Sequence, residues 1–547
     1  MVTRVTASAE GAKSATEAAG KVARTVQRNV KRAVAGTLGL SGERMTKVDT
    51  AWLRMDCDAN LMMILGVWQL SPGVKYAAVC ERIENTLLRY DRFRQRVLED
   101  AGGATWVEDR HFDLRNHVVL EKLPKVGKGH PQEALQDRVA ALATQRLDPK
   151  RPLWQIHLIE DYTGPDGARG SAMIVRIHHC IADGIALISV TMSLVDGGVA
   201  PPERVAKSAH SKSAAKSAVE SAEDWIVDTL LKPFTDISVK TLGAVGDGAA
   251  RSLGLLGMLG DPESMKDGIE KGFKKGVQKG IEGSIDMARV LYQLASDSAA
   301  LALMPDDSKT RLKGKPGGQK KVAWCQPIPL EDVKAVGKAL NCSINDVLLS
   351  CVAGALGEYL KSHGDDVTGQ EIRAMVPVNL RPLDPDGMQT HKLGNRFGLA
   401  PLVLPIGLEN PIERVYEVRQ RMSALKGSYQ PLLAFSLLAV AGMLIKPAQD
   451  MLLSLFARKT TAVMTNVPGP RDKLKFCGAT LEQSMFWVPQ SGDVGLGVSI
   501  LSYGGGVQFG VITDSLLCPE PQRIIDEFLP EFARLSIVTL MLPWGDD

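Results

Sequence analysis

The scarcities of this sequence are the first guide to it. Aromatic residues make up only 5% of its 547 positions. Its eight cysteines (Cys57, Cys80, Cys180, Cys325, Cys342, Cys351, Cys477 and Cys518) form no Cys-x-x-Cys pair. That excludes a thioredoxin-type motif and leaves no zinc-site spacing, so no metal is expected and the thiols read as reduced packing residues. Long apolar runs are missing too. A bilayer-spanning helix needs roughly 20 consecutive apolar residues, and the nearest run, Pro431 to Ile445, is shorter and ends at Lys446. It reads as a buried helix, with an interfacial helix as the alternative. Charge of one sign is equally scarce: 65 Lys and Arg face 62 Asp and Glu, a formal charge of +3. Such a balance argues against a dedicated nucleic-acid partner.

What is present is globular in kind, with 45% hydrophobic and 23% charged residues, too apolar for a disordered chain. The length allows two to four folded units at roughly 100–200 residues each. The charge is unevenly spread. Residues 1–45 carry eight basic residues against three acidic and lack the apolar core of a secretory signal. They are expected to form a basic flexible or amphipathic leader, either a solvated tail or a segment drawn to anionic lipid headgroups. Residues 201–320 read as a helical, amphipathic crossover. There Ile269, Phe273, Val277, Ile281 and Ile285 recur every four residues, beside Gly268, Gly272, Gly276 and Gly280. Both rows would run along one helix. Each glycine costs about 1 kcal/mol relative to alanine, so that helix needs a surface to pack on, the protein's own body or a lipid surface.

The remaining segments, 46–200 and 321–547, show α/β patterning. Val79 to Val97 and Gln132 to Leu147 read as helices, and Pro152 to Ile159 and Ser171 to Ile177 as strands of a long-looped hairpin. In the second segment Leu330 to Leu340 and Ile344 to Leu360 read as helices, the latter with Ser343 as N-cap. Ile372 to Val378, Val494 to Tyr503 and Val507 to Thr513 read as strands, the last two joined by Gly504, Gly505 and Gly506.

The most informative stretch runs from Arg176 to Gly184. His178 and His179 close a strand, Asp183 follows His179 by four residues, and Gly184 opens the helix Ile185 to Leu194. Consecutive side chains on an extended segment point to opposite faces, so only one histidine faces a given cavity. Histidine is the natural general base near neutral pH. Cys180 is not expected to act as a nucleophile, because no cation is arranged to lower its pKa.

His-His-x-x-x-Asp-Gly resembles the signature of the acyltransferase superfamily that includes chloramphenicol acetyltransferase and peptide-synthetase condensation domains. Pro152-Leu153-Trp154, Asn345-Asp346 and Asn466-Val467-Pro468-Gly469-Pro470 narrow the resemblance to the bacterial wax ester synthase/diacylglycerol acyltransferase family. Phe112-Asp113, Asn116-His117-Val118 and Gly394-Asn395 are further points of similarity. The resemblance covers about residues 45–200 and 320–540. It implies an α/β protein of two chloramphenicol acetyltransferase-like domains, joined by a long crossover, with a central tunnel at their interface. Long-chain acyl-CoA would be a substrate rather than a cofactor, and no cofactor is implied. The acceptor would be a fatty alcohol or diacylglycerol, at a membrane or lipid-droplet surface reached from the cytoplasm. His179 would be the base, with direct attack on the thioester and no covalent acyl-enzyme. His178 would point away or shape the pocket, Asp183 would orient the loop, and Gly184 would allow the close turn. Asn345 is either an oxyanion donor or, with Ser343, a helix cap. Asp183 is paired in this reading with Arg373 or Arg381. Trp154, Asn466, Pro468, Gly469 and Pro470 are candidate substrate contacts, each with a core or turn alternative. Arg471, Lys473 and Lys475 are a basic run that either meets CoA phosphates or is a solvated face. Two other readings stay open: a condensation-type transferase with a carrier-protein donor, and a lipid-droplet surface protein with a secondary activity.

Overall fold

Strands that alternate in burial, or are buried on both faces, build two large sheets. The computed structural model describes residues 42–100, 103–124, 131–202, 304–380, 393–426, 430–442 and 446–541. Residues 1–41 of the leader, the glycine-repeat segment and Arg381 lie outside the described residues. In chain order the strands are β1 (Glu43–Arg44), β2 (Met63–Ser71), β3 (Gln95–Asp100), β4 (Gly103–Glu108), β5 (Val118–Glu121), β6 (Trp154–Thr163), β7 (Arg169–His178) and β8 (Lys320–Trp324). They continue as β9 (Ile328–Pro329), β10 (Ile372–Asn379), β11 (Phe397–Leu404), β12 (Ala462–Pro468), β13 (Lys475–Phe476), β14 (Ala479–Trp487), β15 (Leu496–Tyr503) and β16 (Gly506–Asp514). The helices are α1 (Lys47–Arg54), α2 (Tyr76–Asn85), α3 (Pro131–Ala143), α4 (Gly184–Leu194), α5 (Leu330–Ala339), α6 (Ile344–Ser362), α7 (Pro411–Lys426), α8 (Gln430–Ala441), α9 (Lys446–Ala457) and α10 (Pro521–Leu540).

One sheet has the order β13-β14-β2-β7-β6-β5, and the other β11-β10-β12-β15-β16-β8, with β9 also on β16. The first is completed by strands from the far end of the chain. β14 runs antiparallel to β2 from Thr480↔Ser71 to Trp487↔Leu65. The division expected at residue 320 therefore places β13 and β14 with the second segment by sequence, although they pair with the first. Between the sheets lies a shared core in which Leu65, Val67 and Ile174 meet Trp324, Met485, Trp487 and Ile512. Lys320 is buried at the same junction and donates to Asn60 Oδ1 (2.5 Å) and Gln490 Oε1 (3.0 Å). Burial pulls its pKa down to about 8.

Most expected elements are present, with shifted ends. Val79 to Val97 is the clear correction. α2 stops at Asn85, two short 3₁₀ turns follow, and the chain then enters β3. Thr86 leaves helical geometry (φ −124°, ψ −68°) while its Oγ1 bonds back to Arg82 O at 2.6 Å. Leu87, Leu88 and Phe93 can then reach the core, so tertiary burial outweighs the helical period. Ser343 does cap α6, in a capping box with Asp346. The run beginning at Pro431 forms α8, which buries Phe435, Leu438 and Ala441. No single described helix is long and apolar enough to cross a membrane.

Candidate active site

The two histidines sit where β7 leaves the first sheet, and backbone bonds fix them. His178 N donates to Leu153 O at 2.9 Å, and His179 N donates to Met62 O at 2.7 Å. Their side chains diverge as strand geometry requires. His178 Nε2 lies 3.4 Å from Asp56 Oδ1, and its Nδ1 accepts from Cys180 N at 3.2 Å. Burial works to raise the Asp56 pKa, but bonds from His178 and Met62 N, with the Arg146 charge, hold it below the usual carboxylate value.

His179 is enclosed, with 3% of its surface exposed. Trp52 stacks flat on its ring (4.3 Å between centroids, 13° between planes), and Phe397 lies 5.5 Å away. Burial pulls its pKa down to about 4, against weaker opposing effects from its own backbone, Asp183 and Asn395. The imidazole is thus neutral near pH 7, with the unprotonated nitrogen a base needs. His179 Nδ1, Trp52 Nε1 and Asn395 Oδ1 are all buried without a hydrogen-bond partner. Each such orphan costs about 1–3 kcal/mol, so three around one ring is an arrangement that folding alone does not favour. A cavity of about 320 Å³ lies at Glu371, Val403 and Arg421, and a second cavity at Asn60, Lys320 and Gln490; His179 lines neither.

Asp183 holds two backbone segments together. It caps α4 by accepting from Ala186 N at 3.0 Å, and its other oxygen accepts from Arg396 N at 2.8 Å. Arg373, one of the two expected partners, is used elsewhere: its Nη1 donates to Pro305 O and Lys459 O. Arg373 is therefore engaged away from Asp183, whose described bonds include these two backbone amides. Replacing Asp183 with alanine is expected to cost about 1–2 kcal/mol through loss of the cap, while Asp183→Asn keeps most of it. Thermal unfolding of the two variants checks this. Gly184 is not explained by a tight turn. Its φ lies outside the left-handed region, and a Cβ there would meet nothing within 4 Å.

The segment Gly394-Asn395-Arg396 docks on this loop from the second half. Asn395 Nδ2 donates to His179 O and to Asp49 Oδ1, both at 2.7 Å. Asp49 and Trp52 are three residues apart on α1, so one helix reaches both the ring and the clamp on its carbonyl. Neither was singled out from the sequence, although Thr46 capping Asp49 N is a readable helix start.

The other expected residues divide. Asn345 does not cap α6, since Ser343 and Asp346 do so; its Oδ1 accepts from Asn466 Nδ2 at 2.7 Å. The Asn-Asp and Asn-Val-Pro-Gly-Pro elements thus meet each other. Pro468 ends β12 and is exposed, while Gly469 N donates to Ser502 O and Pro470 O accepts from Gly504 N, so the segment runs on along the end of β15. Trp154 is a correction. It is 1% exposed, its Nε1 donates to Phe93 O at 2.9 Å, and it stacks on His117, so it is core beneath the loop rather than a substrate wall. Within the basic run, Lys473 pairs with Glu482 at the surface. The buried Cys180 thiol is pushed well above its ordinary pKa, which makes it a poor nucleophile.

Comparison with known proteins agrees with this geometry. Residues 45–348 match the model of the wax ester synthase/diacylglycerol acyltransferase catalytic domain, and residues 393–536 match the WS/DGAT C-terminal domain. A Mycobacterium tuberculosis protein named as a diacylglycerol O-acyltransferase is 27% identical over 505 residues, covering 90% of this chain and 96% of its own. Wax ester synthase/diacylglycerol acyltransferase 2 of Arabidopsis thaliana is 25% identical over 481 residues, covering 82% and 86%. In fold, the chain resembles the wax ester synthase/diacylglycerol acyltransferase from Marinobacter aquaeolei VT8, with a TM-score of 0.60 at 20% identity over 91% of this chain and 99% of that one. It also resembles the first condensation domain of the CDA synthetase, with a TM-score of 0.51 at 15% identity over 90% and 96%. The chain belongs to the wax ester synthase/diacylglycerol acyltransferase family and is an acyltransferase.

Proposed function

We propose that this protein transfers a long acyl chain from acyl-CoA to the hydroxyl of a fatty alcohol or a diacylglycerol, with His179 as general base. The observation that carries the reading is the enclosed, neutral His179 ring, ringed by unsatisfied polar atoms, in the half matched by the catalytic family model. The acceptor O–H gives its proton to His179 as its oxygen bonds to the thioester carbonyl carbon. The C–S bond then breaks, and the proton on His179 passes to the departing CoA sulfur. Asn345 is the proposed oxyanion donor, because Asn466 occupies its Oδ1 and leaves its NH₂ for another acceptor. The open space at Gly184 suits a chain passing the helix start. Substrate entry requires Trp52 or Phe397 to move off the ring, which fits an enzyme that keeps water from a thioester until the acceptor arrives. The basic leader and crossover are proposed to carry the chain peripherally onto lipid on the cytoplasmic side.

The test offers purified protein palmitoyl-CoA with hexadecanol and diacylglycerol in parallel, and the same acyl group on a carrier protein. Ester formation from the CoA donor is expected. A carrier-only reaction would favour the second reading, which the condensation-domain fold motivates.

A further inference from the structure

We propose that Asp49 and Asn395 are positioning residues that orient the His179 imidazole by holding that residue's backbone carbonyl. The inference rests on His179 being the base. Asn395 is 5% exposed and Asp49 4%, so neither polar group is there for solvent. The two hydrogens of Asn395 Nδ2 are committed, one to His179 O and one to Asp49 Oδ1. Asp49 Oδ1 also accepts from Asn395 N at 3.2 Å, which fixes the amide from two directions. The carboxylate is anchored in the first turn of α1, the helix that lays Trp52 on the imidazole.

Against the larger effect of burial, the His179 backbone favours a proton on its own ring. A carbonyl held at a fixed angle therefore influences which ring nitrogen carries the proton, and so which one is free to act as base. Asn395 Oδ1 and His179 Nδ1, both buried and unpartnered, belong to these two joined residues. Burial raises the Asp49 pKa to about 6, against the bonds from Asn395 and Thr46, so the clamp is charged at neutral pH. Gly394 contributes as well. It has φ +130°, and a Cβ there would approach Asp49 Oδ2 to 3.7 Å, so glycine permits the backbone conformation that brings Asn395 in.

Asn395→Ala and Asp49→Asn should each lower kcat about 10-fold or more, with KM for palmitoyl-CoA changing less than about twofold. Both variants also remove a buried bond, so the exchanged pair D49N/N395D separates orientation from stability. It rebuilds the 49–395 hydrogen bond with the donor on the α1 side, but it puts a carboxylate against the His179 carbonyl. The expected result is a melting temperature recovered toward wild type with kcat still depressed. Recovery of kcat together with melting temperature would overturn the proposal, as would unchanged kcat in both single variants. His179→Ala in the same assay keeps the two ideas apart. If it retains activity, the general-base reading fails; if it is inactive while the single variants are not, only the positioning role fails.

Discussion

Replacing His179 with alanine is expected to reduce kcat about a thousandfold, within the 10²–10⁴-fold that a positioned general base supplies. The change should leave the fold in place. The loop is held by backbone bonds from His178 and His179 to Leu153 and Met62, and by the Asp183 cap on α4, none of which uses the imidazole. Removing the ring also removes an unsatisfied buried nitrogen, which offsets part of the lost stacking on Trp52. The measurements are steady-state turnover of palmitoyl-CoA and thermal unfolding, and activity within tenfold of wild type would remove His179 from the mechanism. The pH profile is a second reading of the same site. A solvent-exposed histidine base would lose half its activity near pH 6.5. Here His179 stays unprotonated to about pH 4, and Asp49 gains its proton at about 6, so the acid limb of kcat/KM is expected at or below about pH 6.

The fold's stability should respond to pH only weakly in the same window. Between pH 6.5 and 4 the unfolded chain binds a proton at residue 179 that the folded chain does not, which destabilises the fold as pH falls. Asp49 works in the opposite direction. Raised to about 6, it binds its proton in the folded chain first, so its contribution grows as pH falls and is lost as pH rises through 6. Two neighbouring buried groups of opposite sign thus offset each other, and enclosing the base costs less acid stability than His179 alone would suggest.

The parts of this site that were legible in the sequence are the local ones. The strand-to-helix loop from Arg176 to Gly184 carries its own chemistry, and the Ser343 cap and the hairpin of β15 and β16 follow from spacings of a few residues. Asn345 and Asn466 were each recognised, but their pairing was not, because they lie 121 positions apart and no local pattern encodes the pair. The pairing of β14 with β2 is hidden for the same reason: β14 alternates and β2 is buried almost throughout, and only long-range packing selects the partner. Asp49 and Trp52 escaped notice because each is unremarkable in its own segment, and Asn395 was legible only as a point of family similarity, without a role. Their meaning arises where α1 and the Gly394 loop converge on His179. The helix expected over Val79 to Val97 failed differently, since an amphipathic period was present and burial of Leu87, Leu88 and Phe93 overrode it.

Replacing Trp52 with alanine should cost about 3–5 kcal/mol of stability and move the acid limb of the reaction upward. Trp52 is 5% exposed and stacks on the His179 ring, and α9 grips α1 through Gln449 Nε2 on Ala51 O and Lys446 Nζ on Arg54 O. That grip resists collapse of α1 into the space left by the indole, so a cavity persists and admits water to the imidazole. Burial is the largest cause of the low His179 pKa, and relieving it lets the value climb from about 4 toward the ordinary 6.5. The variant would then be protonated at pH 5–6, where the wild type is not, and would lose activity there first. Trp52→Phe keeps an apolar plane over the ring and also removes the orphaned indole N–H, so it should sit close to wild type in both respects. The comparison needs melting temperatures and kcat/KM between pH 4.5 and 8 for the three proteins. A Trp52→Ala variant that melts early yet keeps the wild-type acid limb would show that Trp52 stabilises α1 without setting the environment of the base. The expected result instead makes one side chain responsible both for closing the site and for keeping its histidine neutral at mildly acidic pH.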